Sequence, residues 1–142
     1  MQTTDRQRIL VIEDHDCIAA NLKVHLEAKG HEVRTAPSGE RGLEIAGHFQ
    51  PSLVLCDLTL PGIDGYAVVR ILRRHPSLNR TRFIAMTGYS LGPDRSELHQ
   101  AGFELGLSKP FTVQELFKAV APLPPPVANG GLAPREPVVH TV

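Results

Sequence analysis

Five residues carry the chemistry that this sequence can support. Glu13 and Asp14 are an adjacent acidic pair, and Asp57 is a third carboxylate far along the chain. Thr87 offers a hydroxyl and Lys109 an ammonium. Three carboxylates brought together repel one another and need compensation. A hard divalent cation supplies it, and an all-oxygen donor set suits Mg2+. A hydroxyl and an ammonium across from a metal-bound carboxylate make a seat for a phosphoryl group, whose charge the cation and Lys109 neutralise while Thr87 donates a hydrogen bond. Asp57 is then the nucleophile, forming an acyl phosphate.

That chemistry requires the five residues to meet, and the elements between them explain how they do. Arg8–Ile12 is a continuous apolar run, too short for a helix and without alternation, which reads as a strand buried on both faces. Ile18, Leu22 and Leu26 recur every fourth residue and mark a helix ending at Gly30. His31–Thr35 and Ser52–Cys56 read as further strands, separated by a helix that Pro37-Ser38-Gly39 opens and that carries Leu43 and Ala46. Gly42 and Gly47 weaken that helix. Pro61-Gly62 is turn chemistry, and Asp64 caps a helix carrying Val68, Ile71 and Leu72 that stops before Pro76. Arg82–Met86 is a fourth strand. A weaker helix follows Pro93 and ends near Gly102, and Phe103–Ser108 is a fifth strand. Thr112-Val113-Gln114-Glu115 is a capping box for the last helix, with Phe111 placed to staple onto Leu116.

Five strands alternating with five helices imply an α/β fold, a (βα)5 doubly wound parallel sheet. Right-handed crossovers limit the topology, and the order 2-1-3-4-5 is the expectation. Ligands bind such sheets beyond the carboxyl ends of the strands, where strand order reverses, here between strands one and three. Glu13-Asp14 follow strand one, Asp57 ends strand three, Thr87 closes strand four and Lys109 closes strand five. The chemistry and the topology therefore select the same place.

Composition narrows the function. The chain has 142 residues and is 42% hydrophobic, enough for one domain with a real core. Lys plus Arg and Asp plus Glu are each 15, so a neutral chain argues against a general nucleic-acid binder. No apolar run approaches the roughly 20 residues of a membrane span, and Met1–Arg8 is polar, with no signal-peptide core. A cytoplasmic location is expected. Cys17 and Cys56 lack metal-site spacing and read as two buried, reduced thiols. His15, beside the acids, reads as a surface histidine, and Asp16 as a helix N-cap. Six of the 12 prolines fall in the last 21 residues, which divides the chain into a domain, 1–121, and a Pro-rich, disordered or extended tail, 122–142.

The motifs resemble the receiver domains of two-component response regulators. The matching pieces are Val11-Ile12-Glu13-Asp14, Cys56-Asp57-Leu58-Thr59-Leu60-Pro61-Gly62-Ile63-Asp64-Gly65, Met86-Thr87-Gly88, Ala101-Gly102 and Ser108-Lys109-Pro110, and the likeness runs from about Arg8 to about Val120. Each motif alone is weak, but their order at successive strand ends is highly specific. The resemblance implies that Asp57 accepts a phosphoryl group from a histidine kinase or histidine phosphotransfer protein. It implies that Asp14, Asp57 and the backbone carbonyl of Thr59 bind Mg2+ directly, with Glu13 acting through water. It also implies that Thr87 and Lys109 contact the phosphoryl oxygens, and that the Lys109–Pro110 peptide is cis. Thr59 and Tyr89, two residues beyond Asp57 and Thr87, flank the path of a hydrolytic water and orient it poorly, so slow autodephosphorylation is expected.

One position departs from the pattern. Receivers usually carry Tyr or Phe two residues before the motif serine, and here that position is Gly106. The resemblance then predicts a signal that leaves through the loop after Thr87 rather than through a ring in strand five. The leading reading is a stand-alone response regulator with a downstream protein target, no DNA-binding domain, no membrane partner and no enzymatic turnover. A receiver from a hybrid histidine kinase is a close variant. A phosphatase of the haloacid dehalogenase type needs an acid where Thr59 stands, and a phosphorylation-independent pseudo-receiver would not need the full set of acids, Thr and Lys.

Overall fold

A computed structural model describes residues 6–88 and 96–122. Five parallel strands form one sheet: β1 (Arg8–Ile12), β2 (Glu32–Ala36), β3 (Leu53–Asp57), β4 (Arg82–Thr87) and β5 (Leu105–Ser108). Their spatial order is β2-β1-β3-β4-β5, as the alternation of elements predicts. The helices between them are α1 (Asp16–Ala28), α2 (Gly39–Phe49), α3 (Gly65–Leu72), α4 (Ser96–Ala101) and α5 (Val113–Val120).

The sheet is covered on both faces, which is why the interior positions of its central strands are apolar, with polar residues only at the strand ends. Leu10, Ile12, Val54, Cys56, Phe83 and Ala85 point to one side and pack with Ala46 and Phe49 of α2, Val68, Val69 and Leu72 of α3, and Leu98 and Ala101 of α4. Ile9, Val11, Leu53, Leu55, Ile84, Met86 and Leu107 point to the other, against Leu22 and Leu26 of α1 and Leu116, Ala119 and Val120 of α5. The strict alternation follows from the two-residue period of a strand. In register, Ile12 lies beside Cys56 and Asp57 beside Met86, so the carboxyl ends step by one residue from β1 to β3 and again from β3 to β4.

Local chemistry sets the ends. Ser38 caps α2 by accepting from the Arg41 N–H, and Asp64 caps α3 by accepting from Ala67. Thr112 and Glu115 form the reciprocal capping box of α5, while Phe111 and Leu116 join the same apolar cluster. Gly30 ends α1 at φ +96°, a conformation that glycine adopts without a Cβ penalty. At Gly42 a Cβ would lie 2.5 Å from Ile12 Cδ1, so the glycine that weakens α2 as a helix also lets it approach β1.

Four details differ from the sequence reading. Asp16 is not the N-cap of α1; His15 holds that position, and Asp16 sits in the first turn, where its charge suits the helix dipole. Cys17 is exposed, because the buried stripe of α1 is Ala19, Leu22 and Leu26, and only Cys56 is buried. Ile71 is likewise exposed, and Val69 takes the core position instead. Phe103 precedes β5 and is buried edge-on to Tyr66, with ring centroids 6.1 Å apart. Tyr89, Gly92, Pro93 and the tail beyond Pro122 lie outside the described residues.

Candidate functional site

The site forms where β1 and β3 end. Glu13 follows β1, with its N–H donating to the Ala36 carbonyl at 3.0 Å, and its side chain is turned inward. Asp57 is the last residue of β3. Glu13 and Asp57 are only 1% and 3% exposed. Two carboxylates buried that deeply need a partner, and Lys109 is it. Its Nζ donates to Glu13 Oε1 at 2.6 Å and to Asp57 Oδ2 at 2.9 Å. Burial alone would lower the Lys109 pKa, but hydrogen bonds and charge from Glu13 and Asp57 outweigh it and raise the value above the ordinary one.

Asp57 is also held from below. Its Oδ1 accepts from the Thr59 N–H at 2.9 Å and from the Thr59 hydroxyl at 3.1 Å. Gly65 packs against the Asp57 backbone so closely that a Cβ there would lie 2.5 Å from the Asp57 carbonyl oxygen. The neighbouring Cys56 thiol is pushed well up, first by burial and then by the Asp57 charge, so it stays protonated and inert.

Lys109 reaches the acids because its own backbone is fixed. Its N–H donates to the Thr87 carbonyl at 2.7 Å, and the following peptide to Pro110 is cis, as expected. Thr87 is buried at the end of β4, in register with Ser108. Asp14 is the most open of the acids, with 30% of its side chain exposed. Glu13, Asp14, Asp57, Thr87 and Lys109 thus all sit at the carboxyl edge of the sheet.

The donor set fits a divalent cation. Three carboxylates and one ammonium leave two negative charges at one place. All the acidic donors are hard oxygens, which suits Mg2+. Asp14, Glu13 and Asp57 are the residues that would hold it. The closest grouping of donors is not the one read from the sequence, however. Glu13, Asp14 and His15 each place a donor atom within 4.8 Å of the others, while Asp57 joins them through Lys109. The sequence reading set His15 aside, and its adjacency to the acidic pair was the available signal.

Comparison with known proteins agrees with this geometry. The model of the response regulator receiver domain matches residues 9–121. The chain belongs to that family. This receiver is 33% identical over 116 residues to the DNA-binding dual master transcriptional regulator RpaA of Synechocystis, covering 82% of this chain and 48% of RpaA. It is 28% identical over 112 residues to the polar-differentiation response regulator DivK of Brucella ovis, covering 79% of this chain and 91% of DivK. The chain spans half or less of the length of the first curated relatives it matches, and most of the length of DivK. Among solved structures, the receiver domain of the Pseudomonas aeruginosa sensor histidine kinase PA1611 superposes with a TM-score of 0.72 at 30% identity, covering 81% of this chain and 94% of that one. That structure is described with a magnesium ion coordinated in its active-site cleft.

Proposed function

We propose that this receiver takes a phosphoryl group onto Asp57 from the phosphohistidine of a histidine kinase or histidine phosphotransfer protein. The observation that carries the reading is the pair of buried carboxylates at adjacent strand ends, bridged by one lysine. Thr59 fixes Asp57 Oδ1, which leaves Oδ2, on the Lys109 side, as the attacking oxygen. The O–P bond forms as the P–N bond breaks, and the bonding pair stays on the imidazole nitrogen, which takes up a proton. Lys109 then passes from the carboxylate to a phosphoryl oxygen while Glu13 keeps hold of it, and the Thr87 hydroxyl donates to another. Mg2+ held by Glu13, Asp14 and Asp57 would supply further charge neutralisation. The domain modifies itself and performs no turnover of a separate substrate.

Its output is contact with a downstream protein, as a stand-alone, cytoplasmic regulator without direct nucleic-acid or membrane binding. Among the described residues no helix is long and apolar enough to cross a membrane. The test is acetyl-phosphate labelling with Mg2+, read by intact mass. Wild type gains one phosphoryl adduct, and Asp57→Asn gains none. Undiminished labelling of that variant would overturn the assignment.

A further inference from the structure

His15 occupies the N-cap position of α1, yet its side chain makes no capping hydrogen bond. The ring turns back toward the acids. Its Nδ1 lies 3.4 Å from Glu13 Oε2 and 3.7 Å from Asp14 Oδ1. Both distances are longer than good hydrogen bonds. They lie close to the spacing of neighbouring donors around one metal ion, about 2.9–3.4 Å for metal–donor bonds near 2.0–2.1 Å. Lys109 occupies Glu13 Oε1, and Oε2, which accepts from the His15 backbone N–H at 3.2 Å, is the oxygen that faces the ring. The ring is 69% exposed and can close the remaining few tenths of an ångström by rotation.

We infer that His15 contributes an imidazole nitrogen to the divalent-cation site and gives it a preference for borderline metals. This rests on reading the acid cluster as the metal site. Carboxylates alone suit Mg2+, whereas an imidazole suits Zn2+, Ni2+ and Cu2+ and adds little for Mg2+. A receiver with Glu13, Asp14 and His15 in succession therefore presents a mixed oxygen and nitrogen set. Its occupancy follows which metal is available as well as how much Mg2+ is present.

The experiment uses the full chain at one fixed pH and ionic strength. Ni2+ and Mg2+ are titrated calorimetrically into wild type, His15→Gln and Asp14→Ala. Wild type binds Ni2+ at least about tenfold more tightly than Mg2+. His15→Gln loses about tenfold in Ni2+ affinity and much less for Mg2+. In the Cu2+-loaded protein, pulsed electron paramagnetic resonance shows coupling to an imidazole nitrogen, and His15→Gln abolishes it. Unchanged Ni2+ affinity and unchanged nitrogen coupling in His15→Gln overturn the inference. Equal fractional losses for both metals do so too, because they mark a structural effect rather than a ligand. If Asp14→Ala binds both metals as wild type does, the acid cluster is not the metal site and the underlying reading falls as well. Failure at His15 with the Asp14 effect intact removes the inference alone.

Discussion

At the ends of β1 and β3 the reactive side chains are buried, bonded and crowded. Glu13 and Asp57 share Lys109, Thr59 grips Asp57, and Gly65 presses on its backbone. At the β4 and β5 side the pattern thins. Thr87 is buried, but the position beside Ala85 in β5 is Gly106, which places no side chain on the face covered by α2, α3 and α4. The half proposed to take the phosphoryl group is over-determined, while the half proposed to report on it lacks a side chain where receivers usually carry a ring. Acceptance of a phosphoryl group and transmission of the signal are separable demands, and only the first depends on a fixed constellation.

Removing Lys109 should give the largest effect on stability. Lys109→Ala leaves two buried carboxylates without their cation, and loss of one partner from a buried pair costs about 3 kcal/mol. Denaturant unfolding measures it, and added Mg2+ should recover part of the loss by binding the native state. The pH dependence has a definite sign. Lys109 has a raised pKa in the folded protein, so its contribution is complete below 10.5 and fades as pH rises through the higher folded value. The stability gap between wild type and Lys109→Ala should therefore hold from neutral pH to about 10.5 and shrink above it. A gap that closes near pH 7 would break the picture.

Gly65→Ala should come next, costing roughly 1–3 kcal/mol by overpacking, because the new Cβ meets backbone rather than a flexible side chain. The same substitution at Gly47, where nothing lies within 4 Å, should be neutral or slightly stabilising through helix propensity. Equal melting behaviour of the two variants would show that the acceptor's backbone is looser than its contacts imply.

The contrast between the halves is sharpened by a beryllofluoride mimic followed by amide shifts. Changes should concentrate from Thr87 to Leu98, with little response in β5 and α5 beyond Lys109. A response centred on Gly106 and the outer face of α5 would mean that another side chain does the work of the missing ring. The smallest effect is chemical rather than energetic. A thiol reagent at neutral pH should label Cys17 quickly and leave Cys56 untouched until the protein unfolds. Cys17→Ser should abolish the fast phase.

Much of this was legible in the sequence, for identifiable reasons. The strand order followed from five apolar runs alternating with helical periods, and the site from polar residues standing where those runs stop. Caps at Ser38, Asp64 and Thr112 are local chemistry, so short motifs reveal them. Cys17 was misread because burial in the first turn of a helix depends on how the axis lies across the sheet, which no local pattern encodes. His15 was read as a surface histidine and is exposed, but the turn of its ring toward Glu13 and Asp14 is a matter of rotamer that residue identity does not encode. The start of β5 was placed two residues early because Phe103 is apolar for a different reason: it packs against Tyr66 before the strand begins.

Pattern reading placed Arg82 at the start of β4 but could not show what its side chain holds. It pairs with Glu104 at 2.6 Å and donates to the carbonyls of Ala119, Val120 and Ala121, clasping the end of α5 with a single guanidinium. Gln7 adds a bond to Val120 from beside β1. Arg82 opens β4 and Thr87 closes it. A tug on the chain beyond Pro122 is thus carried first into the strand that bears the site's hydroxyl. In mechanical terms β4 is the tie rod of the domain, anchored to the exit of the chain at one end and to the reactive edge at the other.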